Sequence, residues 1–235
     1  MTRAPRRGGR AGRLASGGRS DVARPFGAVE SRPDAASEMA PPPRPDRVLV
    51  VACGALAREI VAIRDMAGLD HIDLHCLPAI LHNHPDRIAP AVAEALDTRA
   101  KSYGRAFVAY ADCGTGGALA RVCAARGVEM IAGPHCYAFY EGLADFAARE
   151  ETDAFYLTDF LARQFDTFVI RPLGLDRNPE LRDLYFGNYR RLVYLAQVDD
   201  PDLDNAARAA ARRLGLDYER RRTGYGDLAP ALTQA

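Results

Sequence analysis

The stretch RVLVVACGALAREIVAIRDMAG, Arg47–Gly68, decides the fold. After Arg47 its next six residues, VLVVAC, are an unbroken apolar run rich in β-branched side chains, the pattern of a parallel strand covered on both faces. After Cys53 the apolar residues change to helical spacing and stop at Gly68, so the stretch predicts one strand followed by one helix. Working outward, the unit recurs. HIDLHCL (71–77) predicts a second strand, PAILHNHP a loop, and DRIAPAVAEALDTRAKSYG a helix in which Pro90 must lie near the first turn. RAFVAYA (105–111) with GALARVCAARG, and VEMIAG (128–133) with PHCYAFYEGLADFAARE, are two more strand–helix pairs. Such alternation predicts a Rossmann-like α/β fold: an open, mainly parallel sheet with right-handed crossovers and helices on both faces. Residues 152–190 break the rhythm and are expected to be a helical, aromatic-rich insertion lying over the sheet. RLVYLAQ (191–197), a helix capped near Asp202 and stopped by Gly215, and LDYERRRTG (216–224) complete an expected sheet of five or six strands.

The chain has 235 residues, 48% of them hydrophobic and 26% charged, enough to bury a core in one α/β domain, expected over 46–235. Lysine plus arginine and aspartate plus glutamate balance at 31 each, but unevenly along the chain. Residues 1–45 carry nine Arg against four acids and are rich in Gly, Ser and Pro without apolar periodicity, so this segment is expected to be a disordered tail, with Met39 as an alternative start. The remainder is mildly acidic. It lacks the basic patch that neutralises phosphates, which argues against a nucleic-acid partner. The longest apolar runs fall far short of the roughly 20 residues of a membrane span, so no membrane association is expected. Five cysteines, an odd number, without a secretion signal suggest reduced thiols and a cytoplasmic protein.

Three of those cysteines occupy equivalent places. Cys53, Cys113 and Cys136 each follow a predicted parallel strand and precede a helix, and such strand ends line one edge, where ligand crevices form. A thiol at a helix start also has its thiolate favoured by the helix dipole, and thiolates bind metals. The expected cofactor is zinc, with His82 or His135 as a further ligand, or an iron–sulfur cluster held by the three cysteines. Cys76 and Cys123 read as buried fillers, and a salt bridge is the commoner fate for Glu59. The opposing reading makes all five cysteines core residues. A further alternative is a non-catalytic module in which the backbone of Gly114, Thr115, Gly116 and Gly117 binds an anionic small molecule. That loop matches neither GxGxxG nor a loop ending in GK[ST], so a nucleotide is not indicated.

The segments ACGALAREI, LPAILHNHPDRI, YADCGTGG, GPHCYAFYEG, YLTDFLARQFD, LGLDRNPELRDLYFGNY and VYLAQ, in this order over roughly 47–225, resemble the bacterial and archaeal family called domain of unknown function 1638. The resemblance carries no established activity. It implies a setting in one-carbon, methyl-transfer metabolism, with corrinoid methyl-transfer proteins as partners.

Overall fold

Val50, Val51 and Ala52 expose no surface, as a strand covered on both faces requires. The computed structural model of the chain describes residues 42–235. Its elements run β1 (Arg44–Cys53), α1 (Ala57–Ala67), β2 (Ile72–Leu77), α2 (Ile88–Arg99), β3 (Tyr103–Ala109), α3 (Ala118–Ala124), β4 (Glu129–Met130), α4 (Cys136–Glu141), α5 (Leu143–Arg149), β5 (Ala154–Thr158), α6 (Asp159–Arg163), α7 (Leu181–Phe186), β6 (Arg191–Ala196), α8 (Pro201–Leu214), β7 (Asp217–Arg222) and α9 (Leu228–Gln234). The tail expected over 1–45 and the start at Met39 lie outside the described residues, except that β1 already includes Arg44 and Pro45.

Every strand pairing is parallel, but the strands form two sheets: four strands in the order β2-β1-β3-β4, and three in the order β5-β6-β7. This corrects the expected single sheet of five or six strands. Two departures account for the split. The stretch 128–133 yields only the two-residue β4, which pairs with β3 alone, and the expected insertion opens with the strand β5, which pairs with β6. AFYLT is short and runs straight into a helix, so its strand character is masked by the helical spacing that follows.

Side-chain alternation couples the two sheets. On β5 and β6, Ala154, Tyr156, Val193 and Leu195 join the core of the first sheet. Leu157, Leu192, Tyr194 and Ala196, one residue out of phase, pack instead with α8 residues Leu203, Ala207 and Leu214. The cap of α8 lies two residues before the expected one: Asp200 accepts from the amides of Asp202 and Leu203, with Pro201 in the first turn. No helix among the described residues is long and apolar enough to cross a membrane.

A charged network fastens α4 to the second sheet. Arg221 contacts Glu141 at 2.8 Å, Glu151 at 2.7 Å and Glu219 at 2.6 Å, while Arg191 reaches Glu151 at 3.2 Å and the Tyr156 hydroxyl donates to Glu151. The Arg221 guanidinium above all, helped by Tyr156 and Arg191, holds the Glu151 carboxyl down to about 2 from an ordinary 4.5. A carboxyl whose folded value is depressed stabilises the fold above the unfolded value and stops doing so as pH falls through the folded one. Glu151→Gln is therefore expected to cost about 1.5–3 kcal/mol at neutral pH. It should also flatten the acid limb of stability between about 4.5 and about 2, measured by urea unfolding across that range. An unchanged acid limb would show that Glu151 is not its source.

Candidate functional site

The register of β1 assembles the site. Ala52 lies opposite Cys76 of β2 on one side and Ala109 of β3 on the other, so the next residues, Cys53, Leu77 and Tyr110, lie side by side at the carboxyl edge. Cys53 caps a 3₁₀ turn at Gly54–Leu56, its Sγ accepting from the Ala55 amide at 3.4 Å. A Cβ on Gly54 would come within 2.8 Å of the Leu77 carbonyl oxygen, so only glycine lets the chain after β2 pass this close. That passage leads into the 3₁₀ turn Ala79–Asn83, which carries His82 to Cys53, with Nδ1 3.5 Å from Sγ.

Cys113 and Cys136 are joined by backbone. The amides of Asp112 and Cys113 donate to the carbonyls of Gly133 and Pro134 at 3.0 and 2.8 Å, drawing the loop after β3 against the loop before α4. Cys113 has φ 50°, the left-handed region that a residue with a Cβ enters at a cost of about 1–3 kcal/mol, and such residues concentrate at functional sites. Burial, with the neighbouring Cys53 charge second, pushes the Cys113 thiol up to about 12. Burial likewise raises Cys53 to about 11, and Cys136 well above its usual value, with the Cys113 and Cys53 charges adding to it. The three thiols thus stand within electrostatic reach of one another. Burial thus opposes the thiolate that a helix start favours, because desolvation outweighs the backbone hydrogen bonds.

The other sequence candidates divide. His82 is the imidazole that meets a thiol. His135 packs its ring against Tyr137 and Phe146, each at 5.4 Å between centroids, and its buried Nδ1 lacks a hydrogen-bond partner. Cys123 is buried as expected, whereas Cys76 is only half-buried, and its charge acts on both Cys53 and Tyr110. The amides of the Gly114–Gly117 loop are engaged internally. Asp112 accepts from the Thr115 hydroxyl at 2.7 Å, the Gly116 amide at 3.1 Å and the Gly117 amide at 2.7 Å. A carboxylate of the chain itself sits where an anionic ligand was expected.

Tyr110 and Asp159 were missed, and Glu59 was misassigned. Tyr110 is 1% exposed, and its hydroxyl, beside Cys53, has no hydrogen-bond partner in good geometry, an orphaned polar atom at the thiols. Glu59 is 5% exposed, and its Oε2 is unpartnered instead of salt-bridged. Burial raises its carboxyl, as does the charge of Asp159, while Arg163 lowers it. Asp159 is 1% exposed and follows β5, at the carboxyl edge of the second sheet. Among the described residues, no three His, Cys, Asp or Glu side chains form a group that could hold a metal ion as they stand.

The comparisons can now be placed on this geometry. Residues 76–232 match the family described as Protein of unknown function (DUF1638). The chain belongs to this family. The matched span takes in His82, Tyr110, Cys113, Cys136 and Asp159, whereas Cys53 and Glu59 precede it. No curated protein matches the chain, and no solved structure does.

Proposed function

We propose that this DUF1638 member is a metal-dependent protein, an enzyme or accessory factor, in which Cys53, Cys113, Cys136 and His82 take up zinc or an iron–sulfur cluster beside a small-molecule site. The observation that carries this reading is the Cys53–His82 contact at 3.5 Å, together with the backbone bonds that draw the Cys113 loop against the loop before Cys136. Sulfur and imidazole are the donors such metals prefer. The orphaned Tyr110 hydroxyl and the left-handed backbone of Cys113 fit a ligand-binding site. The donor types suit the metal, while the side chains would have to draw together to enclose it. A bound metal would deprotonate the thiols outright and so overcome the cost that keeps them neutral in the free fold.

The wider reading follows the family resemblance: one-carbon, methyl-transfer metabolism with corrinoid proteins as partners. The order β2-β1-β3-β4 suits a Rossmann-like half-fold, and five unpaired cysteines suit a reducing cytoplasm. The alternative of an anion-binding Gly114–Gly117 loop is weaker because Asp112 occupies its amides. Anaerobically purified full-length protein is expected to carry about one zinc per chain, or iron with acid-labile sulfide and the visible absorption of a cluster. Elemental analysis that finds neither metal above about a tenth of an equivalent sinks the proposal.

A further inference from the structure

A cavity of about 470 Å³ opens beside the thiols, within the roughly 300–1,000 Å³ range of small-molecule sites. Cys136 and Tyr137 at the start of α4 form one wall, β5, α6, Phe186 and the segment 168–173 form most of the others, and Ala55, His82 and Asn83 complete the lining. The walls are built of rings. Phe160 and Phe168 meet edge to face at 4.9 Å, and Phe155 and Phe186 do so at 5.1 Å. The polar groups are few: His82, the exposed Asn83, Thr158, the Cys136 thiol and the Tyr137 hydroxyl. No Asp, Glu, Lys or Arg is among the described residues that line it.

We propose that this cavity binds an uncharged, ring-bearing small molecule, its apolar body among Phe155, Phe160, Phe168 and Leu161 and its single polar end at His82 and Asn83. An ionic ligand would give up its hydration here without a counter-charge. A flat ring, by contrast, gains edge or face contacts with the phenyl walls, and one hydrogen-bonding end satisfies the imidazole and the amide. The segment 152–190, which read as a cover, thereby supplies the ligand's surroundings. Cys136 belongs to both the cavity and the thiol group, so a bound molecule would lie next to the sulfurs. The cavity shares His82 and Cys136 with the metal proposal, but its walls are protein side chains, so probe binding and metal content are separate readouts.

The test is a fluorescence titration of the full chain with neutral N-phenyl-1-naphthylamine, against anionic 8-anilinonaphthalene-1-sulfonate. Saturable one-to-one binding of the neutral probe is expected, with the anion at least about tenfold weaker. Leu161→Asp and, independently, Leu173→Asp should each weaken the neutral probe by about tenfold or more, with circular dichroism confirming the fold. Arg208→Ala, on α8 and outside the cavity lining, should leave the neutral probe's affinity unchanged. Absence of saturable binding by wild type, equal binding of the two probes, or unchanged affinity in a folded Asp variant each overturns the proposal.

Discussion

Cys113→Ser is expected to strip about nine-tenths or more of the bound metal, while Cys123→Ser leaves the metal content unchanged. The contrast rests on position. Cys123 lies on α3 and is buried in the first core, so serine there places a hydroxyl among apolar groups and costs stability without touching the thiol group. Cys113 stands in electrostatic contact with Cys53 and Cys136, on a backbone that glycine would occupy with less strain. That strain supplies a sharper variant. Cys113→Gly removes the sulfur and relieves φ 50° together, so its stability should stay within about 1 kcal/mol of wild type while its metal is lost as completely as in the serine variant. If Cys113 is merely packing, the outcome reverses: Cys113→Gly loses stability to a cavity and the metal stays. Elemental analysis and urea unfolding on the same preparations separate the two.

How much of this was legible depends on which forces leave a local trace. The strand β1, the stop of α1 at Gly68 and the helix α8 were readable because apolar periodicity and terminators are written into adjacent residues. Cys53, Cys113 and Cys136 were expected to line one crevice, since parallel strands present their carboxyl ends together; of the three, Cys136 is among the described residues that line the cavity. Sheet membership was not legible. Hydrogen bonding between β5 and β6 depends on partners more than thirty residues apart, and AFYLT would look the same beside β4. Nor could the sequence show that Asp112 folds back on the Gly114–Gly117 amides, because an aspartate before a glycine-rich turn serves equally well as a ligand or as the turn's own acceptor. Glu59 was assigned a salt bridge, the commoner fate of a charged helical residue; it is instead buried with Oε2 unpartnered, and the charges of Asp159 and Arg163 act on it.

Asp159→Ala is expected to be the most destabilising single substitution considered, at about 3–5 kcal/mol. The carboxylate is 1% exposed, and its oxygens accept from the Tyr194 hydroxyl at 2.6 Å, the Gln197 amide at 3.1 Å and the Val198 amide at 3.1 Å. Its own amide donates to the Gln197 side chain at 2.8 Å, and that side chain in turn donates to the Leu195 carbonyl. Alanine would leave two buried amides and a buried hydroxyl without an acceptor, and each unsatisfied group costs about 1–3 kcal/mol before relaxation or water entry recovers part of it. For a chain of this size the melting temperature should fall by about 6–20 °C in calorimetry. Asp159→Asn keeps one acceptor oxygen but turns an N–H toward a donor, so it should lie between alanine and wild type. The damage should also reach the cavity, since the same hydrogen bonds fix the start of α6, where Thr158 accepts from the Leu161 amide and Leu161 forms part of the wall. A loss below about 1 kcal/mol for Asp159→Ala would mean that water replaces the carboxylate at little cost. The carboxyl edge of the second sheet would then be a hydrated opening instead of the dry polar joint that holds the cavity wall in place.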